Sequence, residues 1–324
     1  MERQLSLDFV RVTEAAALAA ARWVGRGNKD AADGAAVEAM RAVFDTIHMN
    51  GRVVIGEGEM DEAPMLYIGE HLGDNDGPQL DVAVDPLEGT STAAKGLSGA
   101  ISVMAIAQKG QLLHAPDMYM DKIAVGPAAK GCIHLDAPIE ENLRNVAVAL
   151  GKEMDDLTVV ILDRERHEDM IQRARKCGAR IRLLTDGDVS PAAACGLANG
   201  GVDLMIGVGG APEGVLAAVA LRCLGGEMQA RLWPEDEHDI QRAKDLGIED
   251  VGKLLLMDDL VRDDDVVFVA TGITEGLLLP GVTFTPNGAV THSLLMRGKS
   301  GTVRFIEARH RFDKKPRYAF KGAV

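Results

Sequence analysis

The stretch from residue 158 to residue 224 constrains the fold most, because strand-length apolar runs alternate there with helix-period segments. Residues 158–162, 180–184 and 202–208 read as strands, and residues 165–177, 191–196 and 213–224 read as helices. Strands joined by helices rather than tight turns pair in parallel, and such a sheet presents its functional loops at the strands' carboxyl ends. The polar residues fall there. Asp163-Arg164-Glu165-Arg166 follows the first strand, Asp186-Gly187-Asp188 the second, and Gly207-Val-Gly-Gly210-Ala-Pro-Glu213 the third. The charge run after the first strand reads equally as a solvated helix start. The glycine-rich loop is no dinucleotide fingerprint, since Pro212 stands where its third glycine would be. It still offers backbone N–H groups to anionic oxygens at a helix start, where Glu213 also favours the dipole.

Two acidic strand ends stand upstream. In Asp81-Val-Ala-Val-Asp85-Pro-Leu-Glu88-Gly-Thr90 an alternating run carries a strand to Asp85, where Pro86 and Gly89 turn the chain and gather Asp85, Glu88 and Thr90. Asp, Pro and Gly are also ordinary turn residues, so a polar turn is the plain alternative. The stretch Val53-Val-Ile-Gly56-Glu57-Gly58-Glu59-Met-Asp61-Glu62 repeats the pattern, with glycines around Glu57 that suit close backbone approach. Clustered carboxylates repel unless a proton or cation lies between them, and oxygen-only ligands select hard ions such as magnesium or manganese. Two such clusters suggest a two-metal site. Asp33, near a helix start, is a further candidate ligand or simply a favourable helix-terminus charge.

Elsewhere, residues 5–25 and 31–50 read as helices, 52–55 as a strand and 63–72 as a helix. Residues 100–107 read as a buried strand before a hairpin turn at Lys109-Gly110. An acidic, polar stretch at 137–156 is the candidate lobe boundary, dividing a lobe of residues 1–140 from one of residues 141–324. Asp263 to Asp265 read as a solvated turn. Strands at 266–271 and 301–308 return to complete a sheet, and the tail is basic. The fold class expected is mixed α/β, two lobes whose sheets are flanked by helices.

A net charge of −14 over 324 residues argues against nucleic acid as a partner, since phosphate backbones are bound by basic surface. It also means that a phosphorylated substrate needs metals and local Lys or Arg to reverse the field. Four scattered cysteines without metal-site spacing, and no long uncharged apolar run, suggest a reduced cytoplasmic protein with no membrane span.

The Asp85-Pro-x-Glu88-Gly-Thr90 motif, with the Gly-Glu-Gly-Glu run and Asp33, resembles the metal signature of the lithium-sensitive sugar and inositol phosphatases. The closer resemblance is to the class II fructose-1,6-bisphosphatases. It extends through Ala115-Pro-Asp-Met-Tyr119, Leu184-Thr-Asp-Gly-Asp188, the Gly207 to Gly214 loop and Ala270-Thr-Gly-Ile-Thr274. Glu88 stands where the wider group has Asp, and Glu213 takes the place of its later Trp-Asp motif.

The resemblance implies a layered sugar-phosphatase sandwich with the active site between the lobes, hydrolysing the 1-phosphate of fructose 1,6-bisphosphate in gluconeogenesis. It assigns Asp33 and Glu57 to one Mn2+ or Mg2+ ion, and Asp85, Glu88 and Glu213 to another. Thr90, Asp61 and Lys29 become catalytic candidates, and Glu88, Gly89 and Thr90 contact the reacting phosphate. Tyr119, Arg164 and Arg166, with Glu165 between them, go to the far phosphate. Asp186, Gly187 and Asp188 read the sugar, and Gly210 supplies a backbone contact. It also implies a homo-oligomer, a dimer or tetramer. The alternatives are a dual fructose/sedoheptulose bisphosphatase and, from another class, a non-catalytic sugar-phosphate or metal sensor.

Overall fold

A computed structural model of the chain describes residues 5–58 and 64–314. It divides into two units, Met1–Leu112 with Asp263–Val324, and Leu113–Arg262.

The first unit opens with the alanine-rich helix α1 (Leu5–Ala21), most of whose residues are buried. Helix α2 (Lys29–Phe44) follows, with the Asn28 side chain accepting from Ala31 N–H as its cap. It stops short of the expected residue 50, where Thr46 Oγ1 donates to the Val43 carbonyl at 2.8 Å. Then come strands β1 (Asn50–Ile55), β2 (His71–Leu72) and β3 (Gln79–Glu88), the short helix α3 (Thr90–Lys95) and strand β4 (Ile101–Gln108). The helix expected over 63–72 is replaced by turns and β2. Leu66 at φ 57° and Gly69 at φ 96° are left-handed, which no right-handed helix accommodates. Residue 63 lies outside the described residues. The turn at Lys109-Gly110 forms, but not as a hairpin. Asp81 Oδ2 accepts the N–H groups of Gly110, Gln111 and Leu112 at 2.7, 3.0 and 3.3 Å, and the chain leaves the sheet.

The second unit contains β5 (Tyr119–Val125), α4 (Ile139–Leu150), β6 (Thr158–Leu162), α5 (Glu168–Lys176), β7 (Arg180–Leu184), α6 (Val189–Gly196), β8 (Leu204–Gly210), α7 (Ala211–Leu224), β9 (Glu227–Trp233), α8 (Glu237–Asp245) and α9 (Met257–Leu260). Its sheet order is β7-β6-β8-β5-β9. Strands β7, β6 and β8 are parallel, as the alternation requires, while β5 and β9 run antiparallel to their neighbours. The polar stretch at 137–156 is no boundary between these units. It contains the amphipathic helix α4, which buries Ile139, Leu143 and Val146 in this unit's core.

The chain then returns to the first unit with β10 (Val267–Gly272), β11 (Thr283–Thr285), β12 (Gly288–Arg297) and β13 (Thr302–Arg311). They complete the order β11-β12-β10-β4-β3-β1-β2, with β13 paired to β12. Asp265 is not a solvated turn residue. It is 8% exposed and 3.5 Å from the Arg297 guanidinium. Helix α1 packs on this sheet through Phe9, Val12 and Ala16, each 0% exposed. Burying such a side chain contributes roughly 1.5–3 kcal/mol for the larger ones. A buried hydroxyl chain, Thr13 to Thr271 to Ser293 with 2.8 Å steps, ties α1 to β10 and β12.

Candidate functional site

In the first unit, β1 and β3 are parallel neighbours with Val53 opposite Val82 and Ile55 opposite Ala83. The carboxyl end of β1 thus reaches the same edge as Ala83 of β3, and Glu57 and Asp85 each follow two residues after that pair. Gly56 has to be glycine here. A Cβ would stand 1.9 Å from the Leu66 carbonyl oxygen, which accepts the Glu57 N–H at 3.0 Å.

The start of α2 is brought to the same edge by Gly25 and Gly27, whose N–H groups bond the Ala93 and Ala94 carbonyls of α3 at 2.9 Å. Asp33 is in hydrogen-bond contact with Glu57. Burial raises the Asp33 carboxyl above its usual range and the Asp30 charge adds to the rise, while the Glu57 contact opposes it. Two carboxyl groups in contact need a proton or a cation between them. Lys29 is exposed at the helix start.

Strand β3 does not end at Asp85 but continues to Glu88. Its pairing with β4 shifts between Asp85 and Glu88, and Pro86 sits in that irregularity, where a missing donor costs no ladder bond. Asp85 Oδ1 accepts the Leu87 N–H at 3.0 Å, and Glu88 is 3% exposed. Gly89 at φ 84° turns the chain into α3, which begins at Thr90. Thr90 Oγ1 donates to the Leu87 carbonyl at 2.9 Å. Asp61 lies outside the described residues. The carboxylates of Asp33, Glu57, Asp85 and Glu88 are an all-oxygen set that fits a hard divalent ion, not a soft one.

In the second unit a cavity of about 410 Å³ opens at the carboxyl ends of β6, β7 and β8. It is lined by Tyr119, Arg164, Arg166, Asp186, Gly187, Asp188, Gly210 and Glu213, so sequence positions almost a hundred residues apart come together. Glu165 is exposed and outside that lining. The Arg166 guanidinium lies 4.6 Å from the Tyr119 ring centroid and donates to the Val208 carbonyl at 2.9 Å. Arg164 Nη2 is 3.9 Å from Asp186 Oδ1.

Glu213 folds back over residue 210, where a Cβ would meet its Oε2 at 1.9 Å. That Oε2 is buried with no hydrogen-bond partner among the described residues. Burial pushes the Glu213 carboxyl up and Asp188 adds to this, against the pull of the Lys122 ammonium. A buried carboxylate oxygen without a donor fits a cation's ligand.

Three further features escaped sequence reasoning. Asp117, Glu235 and Asp239 add carboxylates to the cavity wall. His167 is 1% exposed and stitches β6 to β8, its Nδ1 bonding the Leu162 carbonyl and its Nε2 accepting the Val208 N–H, both at 2.8 Å. Lys122, 0% exposed, reaches up from mid-strand β5. The signal for it was its place between Met120 and Ala124 on one face of an alternating run. Asp236, His238 and Asp239 also bring ligand atoms within 4.8 Å of one another. Helix capping accounts for them, since Asp236 Oδ1 accepts the Asp239 N–H and Asp239 Oδ2 the Glu235 N–H, each at 2.9 Å.

A family model described as bacterial fructose-1,6-bisphosphatase, glpX-encoded, matches residues 3–310. The chain is 50% identical over 326 residues to the class 2 fructose-1,6-bisphosphatase of Haemophilus influenzae, covering 97% of this chain and 98% of that protein. It is 48% identical over 328 residues to fructose-1,6-bisphosphatase 1 class 2 of Escherichia coli K12, covering 97% of each.

Proposed function

The chain belongs to the class 2 fructose-1,6-bisphosphatases, a family of metal-dependent phosphatases, and we propose that it hydrolyses the 1-phosphate of fructose 1,6-bisphosphate to give fructose 6-phosphate and phosphate. The observation that carries the metal-dependent reading is the contact between the Asp33 and Glu57 carboxyls on the edge that also holds Asp85. Asp33, Glu57, Asp85 and Glu88 are the proposed ligands of Mn2+ or Mg2+ in the first unit, and Glu213 is one in the second. Divalent ions supply the positive charge a phosphoryl group needs as its ester bond breaks.

The chain's own residues take the remaining tasks. Thr90 has committed its hydroxyl proton to the Leu87 carbonyl, so its oxygen is left to accept from the attacking water and orient it. The Glu88-Gly89-Thr90 backbone contacts the reacting phosphate, Lys29 offsets its charge, and Asp61 is the candidate base. Arg164 and Arg166 hold the far phosphate with Tyr119, the arginine fork suiting phosphate oxygens. Asp186 and Asp188 accept from sugar hydroxyls, with Glu165, Gly187 and Gly210 in the same loops. Four free cysteines support a reducing cytoplasm as its compartment. A dimer or tetramer belongs to the same reading.

The test is phosphate release from fructose 1,6-bisphosphate and sedoheptulose 1,7-bisphosphate with manganese, magnesium or chelator, in wild type and Asp85→Asn. Metal-dependent turnover of the fructose substrate that falls at least about a hundredfold in the variant is expected. Turnover that survives chelation, or a variant as active as wild type, refutes the metal assignment. A comparable sedoheptulose rate extends the specificity.

A further inference from the structure

Lys122 has no exposed surface, and a lysine ammonium is almost never buried without a partner. Here it has two. Its Nζ lies 2.5 Å from Asp188 Oδ2 and donates to the Gly210 carbonyl at 2.7 Å. The other oxygen of Asp188, Oδ1, is buried with no hydrogen-bond partner among the described residues, and Asp188 lines the cavity. Two glycines leave room for the clamp. A Cβ on Gly209 would stand 2.2 Å from Asp188 Oδ2 and 3.1 Å from Lys122 Nζ, and one on Gly214 would stand 3.2 Å from Lys122 Cδ. Stability alone does not explain this arrangement, because apolar replacements of buried ion pairs are often as stable or more so.

We infer that Lys122 is a positioning residue for sugar recognition: by holding Asp188 Oδ2 and the Gly210 carbonyl together, it fixes the Asp188 carboxylate in the cavity wall, where that carboxylate accepts from a substrate hydroxyl. This rests on the sugar-phosphate reading of the cavity. The ammonium does a second thing. It offsets a carboxylate charge that would otherwise repel a phosphorylated ligand, so Asp188 contributes its geometry without its full repulsion. Gly210 is tied to the same point, which links the turn carrying Glu213 to the sugar-reading carboxylate.

A mutant cycle of Lys122→Met, Asp188→Asn and the double variant, each checked for folding by circular dichroism, tests this with fructose 1,6-bisphosphate. If Lys122 acts through Asp188, each single variant raises KM at least about tenfold with kcat within about threefold, and the double variant is no worse than the poorer single one. Penalties that multiply in the double variant, a loss confined to kcat, or a Lys122→Met KM within twofold of wild type overturn the proposal. If Lys122→Met does not fold, Gly209→Ala takes its place in the cycle, since its Cβ presses on Asp188 Oδ2 while both charges stay in the chain.

Should wild type fail to hydrolyse fructose 1,6-bisphosphate, the proposed activity fails, and the clamp is then read by calorimetry with fructose 6-phosphate. Binding by wild type that is lost in the variants supports the clamp. Binding unchanged in Lys122→Met, or absent from wild type, overturns it.

Discussion

Replacing Gly56 by alanine puts a methyl group 1.9 Å from the Leu66 carbonyl oxygen and 2.8 Å from Val53 Cγ1, so the two backbone segments have to part by about 1 Å. Leu66 cannot simply retreat. It is 0% exposed, its N–H is held by the Glu70 carboxylate, and its carbonyl accepts the Glu57 N–H at 3.0 Å. Overpacking of this kind costs about 1–3 kcal/mol. Losing the Glu57 bond adds about 0.5–1.5 kcal/mol. For a chain of this length a melting temperature lower by roughly 2–7 °C follows. The same movement displaces Glu57, and disturbing what supports a metal ligand costs about 10–100-fold in affinity. Gly56→Ala should therefore need about 10–100-fold more manganese for half-maximal phosphate release, read by titration at saturating substrate beside a thermal melt. Gly34→Ala is the control, because a Cβ there meets nothing within 4 Å and α2 gains a better helix former. A Gly56→Ala variant with an unchanged melt and an unchanged manganese midpoint would refute the reasoning.

Burial holds the His167 imidazole below its usual pKa, so the folded state resists a proton that the unfolded chain accepts. Stability from neutral His167 is complete above about pH 6.5 and lost as pH falls through the lower folded value. His167→Phe should be less stable by about 2–4 kcal/mol at pH 8, with the gap to wild type closing toward pH 5; a gap independent of pH in urea titrations refutes this. Asp81→Ala strands the three N–H groups that its carboxylate accepts and should cost about 2–4 kcal/mol, with Asp81→Asn, which keeps an acceptor, costing less; equal losses in urea unfolding count against the assignment.

Legibility in the sequence followed the regularity of the local pattern. Strands β6 and β7 lie where 158–162 and 180–184 placed them, because β-branched and leucine runs bounded by polar turns have few other readings. Strand β5 was missed because Asp121 and Lys122 interrupt its apolar run, although Lys122 faces inward to a partner no local pattern reveals. Strand β12 was hidden by the buried polar residues Thr291 and Ser293, whose hydroxyls are satisfied by His310 and Thr271 from other strands. Helix α4 reads as a boundary in sequence because Glu140 and Glu141 make its first turn acidic. The unit division escaped notice for a topological reason. β10 slots beside β4 across more than 150 intervening residues, and composition carries no trace of that pairing. The cavity residues were legible as strand-end loops, whereas their charge partners were not, since those depend on what the sheet order brings together.

Charge explains why such partners matter. The cavity wall carries the carboxylates of Asp117, Asp186, Asp188, Glu213, Glu235 and Asp239 against the guanidiniums of Arg164 and Arg166, in a chain of net charge −14. A bare wall of that kind repels any phosphate ester. Asp188 is offset by Lys122 and Asp186 by Arg164, while Arg166 is held over Tyr119 by the Val208 carbonyl rather than spent on a carboxylate. Its charge thus stays available to a phosphate group. Glu213 Oε2 is buried with no donor among the described residues. An acidic protein built this way admits a sugar phosphate only at the points where its own pairing has removed or reserved the charge.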